Sequence, residues 1–188
     1  MKSSENIVEV AMEKWDLYDR ERRLTGETIT RGDDIPKERY HLVVHVCIFN
    51  SKNEMLIQQR QPFKKGWSHM WDLTVGGSAQ AGDTSVKAAE REVFEELGYK
   101  VNLSNARPVL TVLFPVGYDD IYFIEDDVKI EELDLQYEEV KQVKWATKDE
   151  ILRMIDQEEF IPYHKSLIDL LFDVRLTKDA HSNFKNQK

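Results

Sequence analysis

Gly77-Ser78-Ala79-Gln80-Ala81-Gly82-Asp83-Thr84-Ser85-Val86-Lys87-Ala88-Ala89-Glu90-Arg91-Glu92-Val93-Phe94-Glu95-Glu96-Leu97-Gly98-Tyr99 is a loop of small residues feeding an amphipathic run. From about Thr84 to Leu97 the apolar residues Val86, Ala89, Val93 and Leu97 recur at spacings of three and four, which predicts a helix, and Gly98 is a natural stop for it. At 100° per residue, Glu92, Glu95 and Glu96 fall within an arc of about 100°, away from the apolar side. Carboxylates at this spacing repel by a few tenths of a kcal/mol per exposed pair. A divalent cation removes that cost, and an oxygen-only face suits Mg²⁺ or Mn²⁺ rather than zinc. The bland alternative is a solvated helix face. Against it stand Gly76 and Gly77 just upstream, where a missing side chain lets backbone approach a ligand closely.

Upstream of this run, Met12 to Tyr18 and Thr25 to Thr30 predict an N-terminal β-hairpin. Tyr40 to Phe49 is the strongest strand. A polar turn, Asn50 to Asn53, leads to a second strand, Glu54 to Arg60, and the two are expected to form a central antiparallel pair. Trp71 to Val75 reads as a short strand. Downstream, Pro108 to Phe114, Ile121 to Glu125 and Tyr137 to Trp145 are further strands, and Lys148 to Glu158 and Pro162 to Leu176 are helices. Strands first, a helix in the middle and helices at the end describe an α+β domain, a mixed sheet packed between helices. A single domain over 1–188 is expected, with a hairpin over 12–31, a core over 37–176 and a frayed tail over 177–188.

The chain of 188 residues with 41% hydrophobic content suits one soluble core. Its formal charge of -9 argues against a duplex nucleic-acid surface, which needs clustered positive charge. The lone Cys47 lies in an apolar run, so it reads as packing in a reducing, cytoplasmic setting. No segment reads as a membrane span, and the start, with Glu5, Glu9 and Glu13, lacks a signal pattern.

Gly77 to Tyr99 resembles the Nudix box, G-x5-E-x7-R-E-U-x-E-E-x-G-U, where U is a bulky apolar residue. Gly77, Arg91, Glu92, Val93, Glu95, Glu96 and Gly98 match at the required spacing, while Asp83 replaces the first Glu and Tyr99 takes the final apolar place. The resemblance implies the Nudix fold, an α/β/α sandwich, and a pyrophosphatase that cleaves a nucleoside diphosphate linked to another moiety, or a similar small organic diphosphate. It assigns Glu92, Glu95, Glu96 and the carbonyl of Gly76 to the metal shell, and pairs Asp83 with Arg91 to orient the loop. Asp is one methylene shorter than Glu, so that pairing is expected to be weaker or water-bridged; Asp83 as a helix N-cap is the alternative.

Cleaving a diphosphate requires charge neutralisation, an activated water and a base. The acidic stretch from Asp119 to Glu139 supplies Asp120 and Glu139 as candidates for an extra ligand or base. Arg60, Lys64 and Lys65 are expected to face the glycine loop and, with Gly77, to bind substrate phosphates. Phe63, Trp67, Trp71 and Tyr118 are candidates to stack on a base, Trp71 more readily as packing. His41 and His45 share one strand face and read as hydrogen-bonded core or rim groups.

Segments His41 to Val44, Ile48 to Asn50, Gln59-Arg60 and Trp71 to Asp83 are also similar to isopentenyl-diphosphate isomerases. That branch requires a cysteine where Gly76 stands and a metal-binding histidine where Ser78 stands, so the resemblance implies scaffold and not isomerase chemistry. A catalytically silent Nudix fold that binds a ligand or partner is the third reading, kept open by Asp83. The group beyond the diphosphate is not fixed by these motifs, and a homodimer through the hairpin edge is a further expectation.

Overall fold

The protein is described by a computed structural model over residues 12–177. Its first elements, β1 (Lys14–Tyr18) and β2 (Leu24–Thr30), pair antiparallel as the expected hairpin, a two-stranded sheet of its own. The main sheet contains β3 (His41–Phe49), β4 (Met55–Arg60), β5 (Trp71–Asp72), β6 (Val75–Ser78), β7 (Leu110–Phe114), β8 (Gly117–Glu125) and β9 (Val140–Ala146). The order β5-β4-β3-β8-β7 is extended by β6 on β3 and β9 on β4. The expected frayed tail falls outside the described residues except for Thr177, as does the start before Met12.

Strand β3 is buried on both faces because it is the centre of two layers. Val44, Val46 and Ile48 pack with Ala88, Ala89, Val93 and Leu97 of α1 (Ser85–Leu97), which covers one face. Cys47 and Phe49 pack with Ile151 and Met154 of α2 (Lys148–Asp156) and with Ile168, Leu171 and Phe172 of α3 (Lys165–Thr177) on the other. This is the expected α/β/α sandwich. Among the described residues no helix is long and apolar enough to cross a membrane.

Two strand expectations are corrected. The first concerns β3 and β4, which meet at Phe49↔Met55 but are not the central pair. Along its whole length, from His41↔Gly117 to Phe49↔Glu125, β3 runs parallel to β8. An apolar run buried on both faces is what a parallel neighbour requires. The second concerns Trp71 to Val75, which is not one strand. It splits into β5 on β4 and β6 on β3, and Thr74 sits at the switch, donating to Leu56 O and accepting from Ile48 N at 2.9 Å. That switch delivers Gly76 and Gly77 to the edge of β3.

Helix α1 starts where its side chains can satisfy its own first N–H groups. Thr84 is the N-cap, accepting from Lys87 N, and Gly98 closes the helix in the left-handed region at φ 63. Asp83 is therefore not the cap. The hairpin is tied to the sheet by reciprocal backbone bonds between Tyr18 and Tyr40 and by Arg22, whose guanidinium reaches Asp120.

Candidate active site

The fold brings three elements together at one hollow: the C-terminal half of α1, the β6 backbone and the hairpin. A cavity of about 250 Å³ is lined by Glu92, Glu95 and Glu96, by Gly76 and Gly77, by Arg60 and Arg91, and by Glu13 and Arg31 from the hairpin, with Glu139 at its rim. Five carboxylates face three guanidinium groups there, and Lys64 reaches Glu139 at 2.6 Å from outside. The balance is anionic.

Burial makes that charge costly. Glu96 is 4% exposed, and its carboxyl is held well above the usual range by burial and by the neighbouring Glu92 charge, while Gln58 Nε2 donates to it at 2.9 Å. Glu92 is pushed up to about 7 by burial, with Arg91 pulling the other way. The Glu92 carboxylate occupies the space that a Cβ on Gly77 would need, so the glycine is what lets it lie against the β6 backbone. A pair of buried carboxyls, Glu92 and Glu96, that resists ionisation is relieved by a cation, and the donors available are hard oxygens. The residues fit a divalent metal on those grounds. Among the described residues, no three His, Cys, Asp or Glu groups are already closed into a cage for an ion. Arg91 Nη1 stands between Glu92 and Glu95, donating to each at 2.9 Å, and would have to yield to an ion there.

Arg91 also stitches the loop: its Nε donates to Asp83 at 3.2 Å and its Nη2 to Ser78 O at 3.1 Å. The shorter Asp83 side chain thus reaches the arginine directly, without the water bridge that is one of the two expectations.

The other sequence candidates divide. Arg60 faces the cleft as expected, and its Nε donates to Gly66 O. Lys64 reaches the cleft only through Glu139, and Lys65 is exposed on the loop and does not line it. Asp120 is corrected. It points to the α1 face of the sheet, fully buried, where Arg22, Ser85 Oγ and Thr111 Oγ1 donate to it, and it does not line the cleft of the glutamates. Its neighbour Asp119 lies on the opposite face, where it meets His45 Nδ1 at 2.8 Å. A one-residue step along a strand exchanges faces, which spacing alone does not settle for two adjacent aspartates.

Of the aromatics, Trp67 lines a cavity, Phe63 leans on Tyr137, Trp71 packs beneath Lys144, and Tyr118 is buried with its hydroxyl on Asp19 and Arg20 carbonyls. His41 stacks on Trp15, 4.5 Å between centroids. Burial raises the thiol of Cys47, as packing predicts. Sequence reasoning missed Glu13 and Arg31, which join at 2.7 Å and enter the cleft only because the hairpin packs on β3 and on the loop before α1, and Gln58, hidden in a buried strand.

Comparisons with known proteins agree with this architecture. The model of the NUDIX domain matches residues 39–171. An uncharacterised Nudix hydrolase of Listeria innocua is 46% identical over 170 residues, covering 90% of this chain and 99% of its own. An isopentenyl-diphosphate Delta-isomerase of Pectobacterium atrosepticum is 28% identical over 156 residues, 77% of this chain and 83% of its own. Among solved structures, the protein DR0079 of Deinococcus radiodurans aligns with TM-score 0.69 at 22% identity, over 84% of this chain and 98% of that one. A bifunctional NMN adenylyltransferase/ADP ribose pyrophosphatase of Francisella tularensis, complexed with AMP and a Mn ion, aligns with TM-score 0.55 at 19% identity over 75% and 42%. With its box residues gathered on α1 against the β6 glycines, the chain belongs to the Nudix family and is a hydrolase of that family.

Proposed function

We propose that this hydrolase cleaves a diphosphate linkage in a nucleoside diphosphate joined to another moiety, or in a similar small organic diphosphate, with Mg²⁺ as cofactor and Mn²⁺ as a substitute. The observation that carries the reading is the burial of Glu92 and Glu96 side by side against the Gly76-Gly77 backbone, at a cost that protein cations do not offset. Glu92, Glu95, Glu96 and the carbonyl of Gly76 would hold the ion. When bound, it would neutralise phosphate oxygens and ease deprotonation of water.

The remaining work falls to the protein's own groups. Arg60 and Arg31 flank the carboxylates and are the cations available to phosphate oxygens, Arg60 being free of a carboxylate partner among the described residues. Gly77 offers its backbone to the phosphates, the space a side chain would fill being taken by the Glu92 carboxylate. Arg91, held by Asp83, fixes the loop that carries both glycines. Glu139 is the candidate to accept the water proton, with Lys64 at 2.6 Å keeping its carboxylate oriented toward the cleft.

The isomerase reading is disfavoured on geometry as well as on residue identity. A Cβ on Gly76 would stand 2.6 Å from His45 Cδ2 and Nε2, so this chain has filled with His45 the space a cysteine side chain would enter. The test is incubation with Mg²⁺ and a panel of nucleoside diphosphate compounds, reading phosphate or nucleoside monophosphate release. Glu96→Gln is expected to cut turnover by at least a hundredfold with the fold intact. A silent wild type across the panel would favour a ligand-binding Nudix domain, and conversion of isopentenyl diphosphate to its isomer without phosphate release would favour the isomerase.

A further inference from the structure

A second cavity, about 450 Å³, opens on the other side of the Gly76-Gly77 backbone. It shares Arg60, Gly76, Gly77 and Ser78 with the carboxylate cleft, so the two adjoin and a molecule held by its diphosphate at the glutamates can extend into it. Beneath it runs a chain of polar side chains from three strands and the segment before α3. Asp119 of β8 holds His45 Nδ1 at 2.8 Å, the hydroxyl of Tyr163 lies 3.3 Å from His45 Nε2, and that hydroxyl donates to Asp72 Oδ1 at 2.8 Å. The walls are Val43, Ile161 and Pro162, and Trp67 lies at the mouth, its backbone at φ 49.

Asp72 is the informative group. It is 6% exposed, and its Oδ1 accepts both from Tyr163 and from Leu73 N at 2.8 Å. Its Oδ2 has no hydrogen-bond partner among the described residues, yet it is not sealed from the cavity that the residue lines. The unpartnered oxygen of a carboxylate residue that is more than nine-tenths buried, left open toward a cavity, is an acceptor waiting for a donor on whatever enters. An alkyl chain placed there would strip its water and give nothing back. An additional phosphate would meet it as a like charge. An uncharged group bearing hydroxyl or amino donors satisfies it, and the flat face of Trp67 suits a ring at the mouth.

We propose that Asp72, held by Tyr163 and the His45–Asp119 pair, is a specificity-determining residue that selects diphosphates whose attached group is neutral and rich in hydrogen-bond donors. This rests on the diphosphate-cleaving reading of the adjacent cleft.

The test is equilibrium binding with Ca²⁺ in place of Mg²⁺, so that a hard cation holds the diphosphate while turnover is suppressed, of four probes that share a diphosphate: ribose 5-diphosphate, ADP, isopentenyl diphosphate and inorganic tripolyphosphate. Wild type is expected to bind ribose 5-diphosphate at least tenfold more tightly than the alkyl and tripolyphosphate probes. Asp72→Asn is expected to shrink that margin to about threefold or less while its melting temperature confirms the fold. A gain of tenfold or more from ribose 5-diphosphate to ADP would assign the main donor to the base, and equal affinity would assign it to the sugar; either supports the selection. A wild type without the margin overturns the proposal whatever the variant does, as does a folded Asp72→Asn that keeps it. Glu96→Gln should retain the margin while losing turnover. Retained turnover there would remove the cleft reading and leave the binding result standing.

Discussion

Replacing Glu92 by Gln tests the physical premise of the site without a substrate. The side chain is 12% exposed, and its carboxyl is raised from 4.5 to about 7 mainly by burial. A carboxyl whose folded value lies above its unfolded value contributes stability that is present below pH 4.5 and lost as the pH rises through about 7. At about 1.4 kcal/mol per pH unit, the metal-free protein at pH 8 bears a penalty of about 3 kcal/mol that an amide does not. For a chain of this size, 1 kcal/mol moves the melting temperature by roughly 2–4 °C, so Glu92→Gln should melt roughly 6–12 °C above wild type at pH 8 in EDTA. At pH 4.5 the two should nearly coincide. Magnesium at a hundred times its dissociation constant should add about 2.7 kcal/mol to wild type and much less to the variant, closing or reversing the gap. Thermal unfolding by circular dichroism at both pH values, with EDTA and with Mg²⁺, measures all four states. A variant that melts below wild type at pH 8 in EDTA, by as much as it does at pH 4.5, would show that the cluster is not under electrostatic strain.

Other outcomes follow from the same contacts. Arg22→Ala leaves Asp120 buried with only Ser85 and Thr111 as donors. It should cost about 3 kcal/mol, visible as a melting temperature lowered by roughly 6–12 °C, and should raise KM as the hairpin bearing Glu13 and Arg31 loosens. Asp83→Glu restores the family's usual residue but should change kcat less than about twofold, since Asp83 already meets Arg91; steady-state kinetics decide this. Cys47 is fully buried and its thiol is held protonated, so a thiol reagent should label it only as fast as the protein unfolds, and immediate stoichiometric labelling would contradict its placement.

The parts legible from sequence were those written in short-range pattern. The 3.6-residue spacing of Val86, Ala89, Val93 and Leu97 placed α1, and the same period puts Glu92, Glu95 and Glu96 together on the side that lines the cleft. The hairpin followed from its β-branched residues. Partners made at long range were not legible. Neither the parallel pairing of β3 with β8, whose strands lie some seventy residues apart, nor the split of Trp71 to Val75 around Thr74 has a local signature. Parity failed at Asp119-Asp120, where both residues are acidic and only the register on β3 tells which faces His45. Arg31 and Glu13 look like ordinary surface charges until the hairpin is folded over the cleft. The polar start of β8, Gly117 to Asp120, hid a strand because its polar residues are satisfied by ion pairs and hydrogen bonds and not by water.

The claim on which the functional account stands is that the glutamates of α1 take up a divalent cation. Titration of Mn²⁺ into the metal-free protein, followed by electron paramagnetic resonance of the free ion, measures this directly. Saturable uptake by wild type that weakens at least tenfold in Glu96→Gln is the predicted result; uptake that is absent from wild type at millimolar Mn²⁺, or unchanged in the variant, would contradict it.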